Sequence, residues 1–423
     1  MLKKLIIFCS MIVLTIGFSL TISAKESNGY YTLTEIQDWG PAITKVTVEL
    51  GKPVPTGSID EDTFSVHVTR SDDRLVDPFL EEGFREVTDA YVADKNGNSA
   101  KEMGKYAVLE LEIGPDKTLG APMNYTGLND WIDTDYTITQ QQAIEAPYGE
   151  VTDLKITTFK GDTKKAVEDF DMSSGTFSGM DMSYASYTPE KDKQDNPLVI
   201  WLHGGGEGGT DPTIPLSANK AVSFASDSVQ DYYDNAYVLV PQAPTRWMDG
   251  ESGSADGTSI YTEPLMALIE EFVATHDDID TDRIYIGGAS NGGYMTLVMT
   301  RDYPEYFAAA FPVCEGLNDT IISDQDIMDL AKTPTWFIAA ENDPTLDPAE
   351  NTIPTYERMV SVDGADVNMT LFDGVFDTSG LYTNEDGTPY EYNGHWSWTY
   401  VYNDEVPGLF EWMADQESGT KVP

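Results

Sequence analysis

The chain of 423 residues holds two cysteines, four histidines and 25 basic residues against 72 acidic ones. Each shortage excludes something. Cys9 lies in an apolar N-terminal stretch, so a chain trimmed behind that stretch keeps Cys314 alone and forms no internal disulfide. Cys314 sits in an apolar run and reads as a small buried hydrophobe. The formal charge of -47 argues against nucleic acid and anionic membranes as partners, because both carry the same sign. Beyond the N-terminus no stretch approaches the roughly 20 apolar residues of a membrane span. No Gly-Lys-Ser/Thr triplet is present, which excludes a P-loop. With four histidines, a general base has few candidates.

The N-terminus reads as a secretory signal, residues 1–24. Lys3 and Lys4 open it, residues 5–22 are almost wholly apolar, and Ser23-Ala24 offers a small-residue cleavage site. The expectation is a secreted, extracellular protein with no membrane contact after cleavage. Phe8 before Cys9 is the wrong neighbour for a lipoprotein site.

About 400 residues follow, enough for two domains. From 30 to 146 the apolar residues alternate: Val46, Val48 and Leu50 in one run, Phe64, Val66 and Val68 in another, Leu109, Leu111 and Ile113 in a third. Period-two runs broken by turns such as Asn96-Gly97 predict an antiparallel, immunoglobulin-like sandwich over 28–147. His67 falls on the polar face of its strand. From 149 to 423 strands alternate with helices, which predicts an α/β domain with a mostly parallel sheet. Residues 151–159 and 180–187 read as its antiparallel start. The apolar run 197–202 reads as a strand buried on both faces.

Gly288-Ala289-Ser290-Asn291-Gly292 has the layout of a nucleophile elbow, where a strand delivers a serine to a sharp turn and a helix begins at once. A serine at its ordinary pKa is a poor nucleophile and needs a base. His67 belongs to the first domain, His203 lies on a glycine loop, and His276 precedes the serine. His395 alone fits the order serine, acid, histidine. Asp343 is the first aspartate past the 335–340 strand and is the expected acid, with Glu341 and Asp347 as rivals. The loop His203-Gly204-Gly205-Gly206-Glu207-Gly208-Gly209 follows the 198–202 strand. Its glycines allow backbone N–H groups to approach a ligand. Gly205, with Gly206 close behind, is the expected oxyanion donor beside the N–H of Asn291. His203 is expected to hold the loop and Glu207 to brace it. Trp247, Tyr294 and Trp396 are candidates for lining the substrate cleft.

The glycine loop, Pro241-Gln242-Ala243-Pro244, the stretch Asp282 to Gly293 around the serine, and Tyr303-Pro304-Glu305-Tyr306-Phe307 resemble the polyhydroxybutyrate-depolymerase and feruloyl-esterase-like branch of the α/β hydrolases. More narrowly, the chain resembles bacterial secreted esterases with an N-terminal immunoglobulin-like domain. The resemblance implies a carboxylic ester hydrolase using Ser290, Asp343 and His395, with no metal and no cofactor. It also implies that the β domain shapes or covers the active-site mouth. The chain departs from many relatives at Ala243 and the single Trp247, where they carry a cysteine and paired tryptophans. Two other readings stay open. One is a serine peptidase of prolyl-oligopeptidase type, which usually carries a propeller. The other is a non-catalytic polysaccharide-binding protein. The partner expected on the main reading is a small or polymeric ester, with polysaccharide as a possible carrier.

Overall fold

A computed structural model of the chain describes residues 28–191 and 193–418. The expected leader, residues 1–24, lies outside the described residues. Two packed bodies follow one another.

The first is a sandwich. Its strands run β1 Gly29–Gln37, β2 Gly40–Pro55, β3 Phe64–Ser71, β4 Phe79–Arg85, β5 Val87–Ala93, β6 Met103–Leu111, β7 Met123–Tyr125, β8 Asn129–Trp131, β9 Asp133–Gln140, β10 Lys155–Ile156 and β11 Thr158–Lys164. One sheet has the order β11-β1-β2-β6-β5 and the other β10-β9-β3-β4. The alternation seen in sequence sets which side chains point inward. Val46, Val48, Val66, Val68 and Leu109 are all fully buried between the sheets. His67 is half-buried on the outer face, its ring edge-on to Phe84. Asp94 caps the expected turn, accepting from the N–H groups of Asn96 and Asn98, with Gly97 at φ +80°.

One expectation is corrected here. Residues 151–159 do not begin the sheet of the second, α/β domain. β10 pairs antiparallel with β9, and β11 pairs parallel with β1. The sandwich therefore draws strands from beyond residue 149. The alternation of these short strands says that they are strands but not which sheet receives them.

The second body is built on an eight-stranded sheet. Its strands are β12 Asp171–Phe177, β13 Met180–Tyr187, β14 Asn196–Leu202, β15 Tyr237–Gln242, β16 Ile279–Ala289, β17 Ala309–Val313, β18 Thr335–Ala340 and β19 Val367–Phe372. The spatial order is β12-β13-β15-β14-β16-β17-β18-β19. β12, β13 and β15 pair antiparallel, and the remaining pairs are parallel. β14 explains why the run 197–202 is apolar throughout. Leu198, Ile200 and Leu202 enter the core on one face, while Val199 and Trp201 enter the core on the other. The helix Thr262–Thr275 buries Leu265, Leu268, Ile269 and Phe272 against the first of these cores. Among the described residues no helix is long and apolar enough to cross a membrane.

The two bodies meet along the C-terminal edge of the parallel strands, where ligands bind in open α/β sheets. The β7–β8 hairpin and the start of β2 lie against the second body. Trp131 Nε1 donates to Thr213 Oγ1 at 2.8 Å, and Lys220 Nζ pairs with Asp38 at 2.8 Å while donating to Asn403.

Candidate active site

β16 ends at Ala289, and the helix Asn291–Asp302 starts two residues later. Between them Ser290 sits at φ 57° and ψ -111°, a conformation that costs an L-residue of order 1–3 kcal/mol. Its N–H is tied to the Val313 carbonyl at 2.8 Å. The flanking glycines are required by space. A Cβ on Gly292 would stand 1.9 Å from the Leu202 carbonyl oxygen, and one on Gly288 would stand 2.6 Å from the Gly292 backbone. The turn pushes the Ser290 hydroxyl out of the sheet at a helix N-terminus, whose free N–H groups favour negative charge.

His395 and Asp343 converge on it. Asp343 lies past β18 and is buried. Its Oδ1 accepts from the N–H groups of Thr345 at 2.8 Å and Leu346 at 3.0 Å, which fixes the carboxylate plane. Its Oδ2 accepts from His395 Nδ1 at 2.7 Å. That bond leaves Nε2 without its proton, facing the Ser290 hydroxyl at 2.9 Å. His395 stands on a single helical turn, Gly394–Trp396, capped by the Asn393 side chain. Burial opposes its protonation. The Cys314 sulfur and the Asp343 carboxylate favour it and prevail, so the imidazole titrates above its ordinary 6.5. The rivals fall away: Glu341 and Asp347 are exposed, and His276 Nδ1 is spent on the Phe272 carbonyl.

Cys314 is buried, as expected of a small hydrophobe, but the residue has a second neighbour set. Its Sγ lies with a ligand atom of Asp343 and of His395 inside a 4.8 Å group. This is the one trio among the described residues with the spacing of metal ligands. The imidazole and carboxylate are already bound to each other, so an ion there would have to displace that hydrogen bond.

The glycine loop packs under the serine. His203 is fully buried, donates from Nδ1 to the Gly204 carbonyl, and accepts at Nε2 from Ala243 N–H at 3.0 Å. Burial pushes its pKa down to about 4, so it is a neutral strut. Gly205 faces Asn291: a Cβ on Gly205 would lie 3.7 Å from Asn291 Cβ. Gly204, Gly205, Gly206, Ser290 and Asn291 border one cleft of about 770 Å³. Gly206 accepts from Asn129 N–H at 2.7 Å. Glu207 is buried, and its Oε1 accepts from Asn129 Nδ2 at 2.8 Å. Its other oxygen lies against Gly204, on the side of Asn219. Burial pushes this carboxyl up to about 7, against the pull of Asn129 and His395. The loop is thus held from the sandwich as well as from the catalytic core.

Of the three aromatics expected in the cleft, Trp396 lines it. Trp247 and Tyr294 do not. Trp247 is fully buried behind the loop, its ring 5.0 Å from that of His203. Tyr294 is also fully buried. Its hydroxyl donates to the Thr258 carbonyl and accepts from Gly257 N–H, bracing a loop. Aromatic size alone does not distinguish a wall from a filler. The wall includes residues that sequence reasoning passed over: Trp398, Met248 and Leu346 from the catalytic domain, and Trp39, Met123 and Tyr125 from the sandwich.

Comparison with known proteins bears on both domains. Residues 29–153 match the family described as the esterase Ig-like N-terminal domain. Residues 257–384 match the prolyl oligopeptidase family. Poly(3-hydroxyalkanoate) depolymerase C of Paucimonas lemoignei is 28% identical over 129 residues, 28% of each chain. Feruloyl esterase B of Neurospora crassa is 30% identical over 128 residues, 29% of this chain and 40% of that protein. The matched part thus spans well under half the length of these curated relatives. The crystal structure of a thermostable esterase superposes with a TM-score of 0.73 at 24% identity, covering 92% of this chain and 99% of that one. The protein carries an esterase Ig-like N-terminal domain ahead of an enzyme domain of the α/β-hydrolase type.

Proposed function

We propose that the protein is an exported serine esterase that works through a covalent acyl intermediate. The observation that carries this is the chain of two hydrogen bonds, Ser290 to His395 to Asp343, at 2.9 and 2.7 Å. Ser290 attacks the ester carbonyl as His395 Nε2 takes its proton. Asp343 holds the tautomer and stabilises the imidazolium. The N–H groups of Asn291 and Gly205, with Gly206 adjacent, receive the oxyanion. The imidazolium returns its proton to the departing alcohol. Water, deprotonated by His395, then hydrolyses the acyl-enzyme. Short-chain acyl esters and acetyl or feruloyl esters of plant polysaccharide are the proposed substrates, and the name of the feruloyl esterase relative supports the feruloyl case. Export rests on the N-terminal sequence.

The prolyl oligopeptidase match over 257–384 favours a second reading, a serine peptidase using the same three residues. The described strands form sandwich and hydrolase sheets, with no propeller among them. A single experiment separates these. The mature protein and Ser290→Ala are assayed on 4-nitrophenyl acetate, butyrate and octanoate, and on aminoacyl-4-nitroanilides. Ester turnover that falls at least ~10³-fold in the variant supports the esterase. Anilide turnover with no ester turnover supports the peptidase. No turnover on either removes both readings and leaves a non-catalytic binding protein.

A further inference from the structure

We infer that the substrate ester carries a carboxylate, recognised by Arg246; this rests on the esterase reading. Six of the seven arginines among the described residues have guanidinium groups tied to carboxylates or carbonyls, as Arg70 is to Glu81, Ala121 and Met123. Arg246 is the exception. Its backbone N–H and carbonyl are engaged with Asp249, but its guanidinium has no ion pair or hydrogen bond among the described residues. The Asp249 carboxylate accepts from the Thr245 hydroxyl at 2.6 Å and from the Arg246 backbone N–H, not from its guanidinium.

Arg246 is solvent-exposed beside the glycine loop. Arg246 lines the cleft. Its Nε lies 3.9 Å from the point a Cβ on Gly205 would occupy, and Asn291 Cβ lies 3.7 Å from the same point. The arginine therefore flanks the two residues assigned to the oxyanion. The surroundings are also depleted of acid. At the chain's average of 72 acidic residues in 423, a wall of 25 residues would hold about four carboxylates. This one holds Glu207 alone, buried and committed to Asn129. A protein of charge -47 repels anions over most of its surface. A cleft freed of carboxylates and furnished with an unclaimed arginine reverses that locally. Guanidinium is the group that grips carboxylate with two parallel hydrogen bonds. The remaining wall mixes uncharged polar groups such as Asn124, Asn219 and Thr345 with the apolar Met248, Leu346 and Trp396. The ligand chemistry that fits is an ester with an apolar body and a free carboxylate a few bonds from the scissile carbonyl.

That carboxylate sits on the acyl part or on the alcohol part, and two substrate pairs distinguish them. Mono-4-nitrophenyl adipate is compared with 4-nitrophenyl hexanoate, and 4-acetoxybenzoate with 4-acetoxybenzamide. In each pair the ratio of kcat/KM, anionic over neutral, is measured for wild type, Arg246→Gln and Arg246→Lys, with folding checked by thermal melting. Arg246→Gln is expected to lower the ratio at least ~10-fold for one pair, the size of a charge-assisted hydrogen bond. Arg246→Lys should recover part of the loss, and added salt should shrink the wild-type ratio. Ratios in Arg246→Gln within twofold of wild type for both pairs overturn the inference while the esterase reading stands. If wild type turns over none of the four esters nor 4-nitrophenyl acetate, the esterase reading fails and takes this inference with it.

Discussion

Asp343→Asn is the most informative single change, because the structure dictates which way the new amide must face. Oδ1 of Asp343 accepts from two backbone N–H groups, those of Thr345 and Leu346. An asparagine keeps those bonds only by leaving its carbonyl oxygen in place. Its NH2 group then points at His395 Nδ1, which in the wild type donates to Oδ2 at 2.7 Å. Two donors cannot face each other, so the imidazole proton moves to Nε2. That proton is then aimed at the Ser290 oxygen, and the base is lost. Flipping the amide instead would set NH2 against two N–H groups in a buried site, at about 1–3 kcal/mol for each orphaned donor. The expected loss is therefore that of a wrong tautomer, ~10⁴-fold in kcat, or about 5 kcal/mol. The assay is ester turnover with burst titration, alongside a thermal melt. A fold intact with kcat down by less than tenfold would show that the Asp343–His395 bond does not set the tautomer.

Three further outcomes follow from particular groups. His395 is held above 6.5 and must be neutral to act, so kcat/KM should rise with pH through a value above 6.5; an acid limb at or below pH 6 contradicts the electrostatics. Glu315 is fully buried with Oε1 unpartnered, and burial pushes it up to about 8. A raised carboxyl binds its proton more tightly when folded, so this stability is full below about 4.5 and is lost as pH rises through about 8. Glu315→Gln should therefore raise Tm at pH 9 relative to wild type more than at pH 6, and equal changes at both would refute it. Asn129→Ala removes the donor to buried Glu207, a cost of about 1–3 kcal/mol. A loosened oxyanion loop should lower kcat more than it raises KM, which steady-state kinetics on 4-nitrophenyl butyrate would report.

The grouping of Ser290, Asp343 and His395 was legible because the elbow reading orders a serine, an acid and a histidine along the chain and the chain is poor in histidine. Three of the four histidines were excluded by position, and the structure gives each another occupation: His67 at Phe84, His203 at Gly204 and Ala243, His276 at Phe272. The parallel sheet was legible because a strand buried on both faces must be apolar at every position, as β14 is. What escaped was decided by partners distant in sequence. β11 joins β1 across about 130 residues, and nothing local in Thr158–Lys164 names that partner. Trp247 and Trp396 look alike as letters; one fills space behind His203 and the other borders the cleft.

The sandwich shows the same limit at the site itself. Asn129 reaches Gly206 and Glu207 from 77 and 78 residues away, and Tyr125 and Trp39 complete a wall begun by Trp396. A glycine loop is chosen for close backbone approach and has little rigidity of its own. An oxyanion site needs donors fixed before the charge appears, since reorganising them during reaction costs part of the stabilisation they provide. The flexible loop and the rigid function are reconciled by fastening it at three points: Ala243, bonded to His203, and Gln242, bonded to Glu207, from the hydrolase core, and Asn129 from the sandwich. On that reasoning the immunoglobulin-like domain belongs to the active site, and separating the two domains should cost kcat before it costs folding of the hydrolase sheet.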